Sequence, residues 1–146
     1  MERRAKGVYA RRAPGRSAFV VMVCSDPDEV DRVSRLMRDM GSCSLVTYRR
    51  ICDLAMNAPR NGASLVVLAD DSPQPMVEHS LRWLRRWCPG ASVAVVGSTD
   101  RPNLEIVARS GGASYFVHPV AEDQWRALLE HALNTVGRFR TSLPGR

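Results

Sequence analysis

Apolar residues come in short bursts along this chain. The stretches 19–24 (FVVMVC), 65–69 (LVVLA), 93–96 (VAVV) and 115–117 (YFV) are apolar at successive positions, and each ends in polar, glycine or proline residues. A β-rich run that is apolar on both faces belongs in a sheet covered on both sides. A weaker run covers 44–48.

Between the runs the pattern changes to helical spacing. Val30, Val33, Met37 and Met40 recur on one helical face and predict a helix that packs on the sheet. Ser25 or Asp26 is its cap, Pro27 lies in its first turn, and Asp28, Glu29 and Asp31 sit near its positive end. Gly41 ends it. A short second helix over 51–58 buries Ile51, Leu54 and Ala55, and Pro59 with Asn61-Gly62 closes it. A third, over 76–88, sets Val77, Leu81, Leu84 and Cys88 beside a second stripe of Met76, Trp83 and Trp87. A fourth, over 103–110, offers Leu104, Val107 and Ala108. A fifth, over 121–136, offers Trp125, Leu128, Leu129, Ala132 and Val136. Strand and helix alternate throughout, which predicts an α/β domain with a parallel sheet and helices on both faces. Ligands of such sheets bind beyond the carboxyl ends of the strands. The turn residues there are the candidates for chemistry.

Charge changes the picture at one end only. The net charge is +6, but residues 1–17 carry +5 of it, through Arg3, Arg4, Lys6, Arg11, Arg12 and Arg16 against Glu2. The body is almost neutral. The segment 1–17 reads as a flexible basic arm, and 138–146 as a tail. An arm of this kind suits an anionic partner, with nucleic acid, an anionic membrane surface or an acidic protein as the candidates. Cys24, Cys43, Cys52 and Cys88 form no C-x-x-C pair, and no histidine stands at zinc-ligand spacing, so free thiols and no metal are expected. No apolar stretch reaches membrane-spanning length and no secretory leader pattern follows the first residues, so the expected location is cytoplasmic.

The segment Gly111-Gly112-Ala-Ser-Tyr-Phe-Val-His-Pro119 is similar to the G-A-x-x-Y-x-x-K-P signature of the receiver domains of bacterial two-component response regulators. A strand running into a proline-started helix, and Pro73 placed four residues after Ala69, extend the resemblance over residues 18–137. It implies the flavodoxin-like (CheY-like) three-layer fold, with a five-stranded parallel sheet in the order 2-1-3-4-5 and five helices. It also implies a switch aromatic at Tyr115 and a cis bond at His118-Pro119, although the base rate for X–Pro bonds alone predicts trans.

The family's chemistry uses a nucleophilic carboxylate after strand three and an acidic pair after strand one that helps hold Mg²⁺. It also uses a hydroxyl after strand four and a lysine after strand five. Here those places fall on Ala69, on Cys24 and Ser25, on Gly97 and on His118, with Asp26, Asp70 and Ser98 each one step late. Alanine cannot form an acyl phosphate. Histidine is a poor substitute for a permanent cation, because its charge is lost above about pH 6.5. A one-residue slip would restore Asp26 and Asp70, but neighbouring strand residues point to opposite faces, so a slip re-aims the side chain.

The expectation is a non-enzymatic pseudo-receiver that signals by protein–protein contact. Arg101, Arg109, Tyr115, Trp83 and Trp87 are its candidate contact residues. The resemblance implies homodimerisation through helix four, strand five and helix five. One alternative is a phospho-accepting receiver that uses Asp70 in a histidine-kinase phosphorelay, with Mg²⁺ at Asp26 and Asp70. Another is anchoring through the basic arm. A third is that the chain is the receiver-like part of a larger assembly. The anchoring alternative makes a sharp prediction. Binding to nucleic acid should weaken steeply with added salt in a filter-binding titration and vanish when residues 1–17 are deleted.

Overall fold

The computed structural model describes residues 18–41 and 43–141; the basic arm lies outside them. Five strands alternate with five helices: β1 (Ala18–Cys24), α1 (Pro27–Met40), β2 (Cys43–Tyr48), α2 (Ile51–Met56), β3 (Leu65–Ala69), α3 (Gln74–Trp87), β4 (Ser92–Gly97), α4 (Pro102–Ser110), β5 (Ser114–Val117) and α5 (Glu122–Thr141). All neighbouring strands pair in parallel, in the order β2-β1-β3-β4-β5. This is the flavodoxin-like topology of CheY-type domains.

Two apolar layers hold the sheet between the helices. Val20, Met22, Leu65, Val67, Ala94 and Val96 face α1 and α5, where Val33, Leu36, Met37, Trp125 and Leu129 meet them. Val21, Val23, Val66, Leu68 and Val95 face α2, α3 and α4, against Leu54, Val77, Leu81, Leu84 and Leu104. Each fully buried valine or leucine contributes about 1.5–3 kcal/mol relative to exposure. The alternation along β1 and β3 therefore binds both layers to one register.

The caps follow the local sequence. Asp26 is extended, and its carboxylate accepts the Asp28 amide at 3.0 Å, so Asp26 and not Ser25 caps α1. Gly41 stops α1 at φ +88°, a conformation costly for any residue with a Cβ. Four expectations are corrected. Ala55 is exposed, because α2 has under two turns and its buried face is filled by Ile51 and Leu54. The third helix begins at Gln74, because Pro73 is extended at its N-cap and Pro75 sits in the first turn, where no amide is needed. Met76 is exposed. The last helix runs on to Thr141, past the expected start of the tail. The side chains of Val136 and Cys43 lie outside the described ones.

One buried polar tie joins α1 to α5 within a single layer. Glu29, read from the sequence as an acid near the positive end of α1, is 4% exposed. Its Oε2 accepts the Trp125 indole N–H at 2.6 Å and its Oε1 accepts Arg32 Nη1 at 3.2 Å. Arg32 also donates to the Val120 carbonyl at 2.9 Å. A buried carboxylate is tolerable only when its oxygens are partnered this way. Glu29 lies four residues before Val33 and seven before Leu36, on the buried stripe, and that spacing was the available signal. Trp125→Phe removes the indole donor and some volume. It should lower stability by about 2–3 kcal/mol in urea unfolding, whereas exposed Ala55→Ser should stay within about 0.5 kcal/mol.

Candidate functional site

Parallel pairing brings the carboxyl ends of β1, β3, β4 and β5 to one edge. Cys24 lies directly opposite Ala69 across the β1–β3 pair. Both side chains belong to the layer under α1 and α5. Two small neutral groups thus stand side by side at the centre of the edge.

The acids one step on are aimed elsewhere. Asp26 is engaged as the cap of α1. Asp70 follows Ala69, and its Oδ2 accepts the Ile51 amide of α2 at 3.3 Å and the Ser72 hydroxyl at 2.6 Å. Helices α1 and α2 pack on opposite faces of the sheet, so these two carboxylates are bonded toward different layers. Asp70 Oδ1 is buried without a partner among the described residues. A receiver's Mg²⁺ wants convergent oxygen ligands. Among the described residues no three histidine, cysteine, aspartate or glutamate side chains come together to hold a metal ion. Cysteine, serine and a cap-engaged aspartate do not fit that ion.

The remaining expected positions spread along the rim. Ser25 is exposed. Ser98 is exposed and donates to Asp100. His118 is exposed, and its backbone N–H donates to the Gly97 carbonyl at 2.7 Å, continuing the β4–β5 ladder. The His118-Pro119 bond is cis. Arg101 donates to the Ser72 carbonyl at 2.7 Å and ties the start of α4 to the loop after β3, while Arg109 pairs with Glu105 at 2.9 Å on the surface of α4. The i, i+4 spacing of Glu105 and Arg109 on the fourth helix signals their pairing, whereas the Arg101–Ser72 bond joins loops 29 residues apart and is set by packing.

Gly97 is buried and tightly covered. A Cβ built on it would meet the Tyr115 hydroxyl, with Leu104 Cδ2 at 2.8 Å and Tyr115 Cε1 at 3.2 Å. Tyr115 pairs with Val95, and residues 95 and 97 share a sheet face, so the ring lies along the strand toward Gly97. Burial pushes the Tyr115 phenol up; Glu105 and Asp100 add to the rise and Arg101 opposes it.

Trp83 and Trp87 are half-buried and stack on each other, with centroids 5.3 Å apart and planes 9° from parallel. They cover the layer below α3. Exposed apolar side chains also occur on α4 and β5, where Ile106 is 65% and Val117 43% exposed.

No family model matches the chain, and no curated protein matches it. Solved structures do. The signal receiver domain of a LuxO repressor protein from Vibrio parahaemolyticus superposes with a TM-score of 0.72 at 15% identity, covering 87% of this chain and 98% of that one. A CheY-like response regulator receiver domain from Methanospirillum hungatei gives 0.71 at 13%, covering 84% and 98%. A pilus assembly protein, CpaE, from Caulobacter crescentus gives 0.61 at 21%, covering 78% and 98%. The described chain has the fold of response-regulator receiver domains. No described helix is long and apolar enough to cross a membrane.

Cys24 is 6% exposed, and its thiol donates to the Asp26 carbonyl at 3.6 Å. Burial pushes the thiol pKa up, the Asp26 hydrogen bond opposes this, and the charges of Asp26, Glu29 and Asp70 add to the rise. A raised pKa means less thiolate at any given pH, the reverse of a redox-sensing setting. Iodoacetamide at pH 8 should therefore alkylate exposed Cys52 well before Cys24. The Cys24 rate should keep climbing with pH beyond the range where an ordinary thiol has ionised, and in denaturant its rate should approach that of Cys52, as peptide mass spectrometry would read.

Proposed function

We propose that this chain is a receiver-like signalling module that acts through protein–protein contact and does not use ordinary aspartyl phosphorylation. The observation that carries this reading is the pairing of Cys24 with Ala69 at the centre of the cleft. Phosphoryl transfer to a receiver needs a carboxylate nucleophile and a bound cation there, and neither side chain supplies one. A cytoplasmic site of action belongs to the same reading.

The same fold occurs in chains described as a repressor's receiver and as a pilus assembly protein, so the surface and not the fold selects the partner. The candidate surface is the outer side of α4, β5 and the start of α5, with exposed Ile106 and Val117 beside Arg109 and His118. Apolar groups flanked by arginine suit a protein contact, which includes a second copy of the chain.

One observation favours a second reading. Asp70 carries a carboxylate oxygen without a partner, one residue from the nucleophile position. In that reading Asp70 accepts phosphate from a histidine kinase. The two readings separate in one experiment. With radiolabelled acetyl phosphate and Mg²⁺, the intact protein should take up no acid-stable, hydroxylamine-sensitive label, and beryllofluoride should leave its amide NMR spectrum unchanged. Labelling that disappears in Asp70→Asn would establish the second reading and end the first.

A further inference from the structure

We propose that Tyr115 is held inward by the absence of a side chain at position 97, so that the α4–β5 face stands in a single state whatever happens at the cleft. This inference takes from the proposed function the view that the face is the working surface.

The glycine is there for space and not for backbone freedom. Gly97 is not among the positive-φ glycines, so its backbone would accept any residue. Yet the volume beside it is already occupied by the end of the Tyr115 ring and by Leu104, which is only 2% exposed. The backbone cannot retreat to make room, because Gly97 pairs with Val117 in the sheet and its carbonyl accepts the His118 amide. Leu104 is wedged in the layer with Val95 and Ala108. A Cβ at 97 would therefore have to displace the tyrosine, which is the one of these neighbours with a route to solvent.

A two-state switch needs an element with two arrangements of comparable free energy. Here the inward pocket is enlarged by the missing Cβ and filled by the ring. Filling a well-shaped pocket favours one rotamer, and overfilling it would reverse the preference. Position 97 is also where the receiver pattern places a hydroxyl side chain. The chain thus has no hydroxyl side chain at this position, and no Cβ competes with the ring for the space.

Nitration by tetranitromethane, mapped by peptide mass spectrometry on the full chain, tests the lock. Tyr115 should nitrate more slowly in the native protein than in denaturant, and Mg²⁺ with beryllofluoride should not change its rate. Gly97→Ala and Gly97→Thr should each raise the native rate by about tenfold as the ring is pushed out. A stability cycle covers variants that fold poorly. Gly97→Ala should destabilise the protein when Tyr115 is present and much less in a Tyr115→Ala background. Equal losses in both backgrounds, or an unchanged nitration rate in a folded Gly97 variant, would overturn the lock. Aspartyl labelling with a slow, beryllofluoride-insensitive Tyr115 would overturn the non-phosphorylated reading and leave the lock supported.

Discussion

The register of β1 against β3 governs what this molecule can do. Both strands are buried on both faces, so each side chain is committed to one layer or the other. With Val20 opposite Leu65 at one end, Cys24 must meet Ala69 at the other. A slip of one residue would bring Asp70 to the edge, but it would also turn Val66 and Leu68 out of their layer. The cost of unpacking several large apolar side chains exceeds anything a single carboxylate could return. Asp70 accordingly bonds toward α2, where it satisfies an amide at the start of a helix too short to hold itself.

Two other interactions depend on that frame. The Glu29–Arg32–Trp125 tie links the first helix to the last on one face of the sheet, and the Arg32–Val120 bond fixes the loop after β5. On the opposite face, Tyr115 leans along β4 and fills the space beside Gly97. Both contacts join segments far apart in the chain. At the carboxyl edge itself Cys24 and Ala69 stand at the centre, with Asp26 bonded to α1 on one side and Asp70 to the start of α2 on the other.

The apolar runs were sufficient to foretell five strands alternating with five helices in a parallel sheet covered on both faces, while the strand order came from the resemblance to receiver domains. The G-G-A-S-Y-F-V-H-P segment led to Tyr115 and His118, the ends of strands one and four led to Cys24 and Gly97, and the departure at Ala69 was readable from the spacing to Pro73. Ala55 and Met76 went astray because helical periodicity marks a stripe but not how wide its buried part is. Glu29 was legible only as an acid near the positive end of α1, and its burial was decided by a tryptophan 96 residues away.

Local chemistry in the chain was thus enough to specify the alternation of elements, the stop at Gly41, a cap at Ser25 or Asp26, and which side chains lie at the working edge. It could not specify where those side chains point or what fills the space around them. Those are set by packing between segments distant in sequence: Ile51 receiving Asp70, Trp125 receiving Glu29, and Tyr115 occupying the gap at Gly97. The reason is geometric, since spacing along one strand assigns a face but only the neighbouring layer determines which partner waits there.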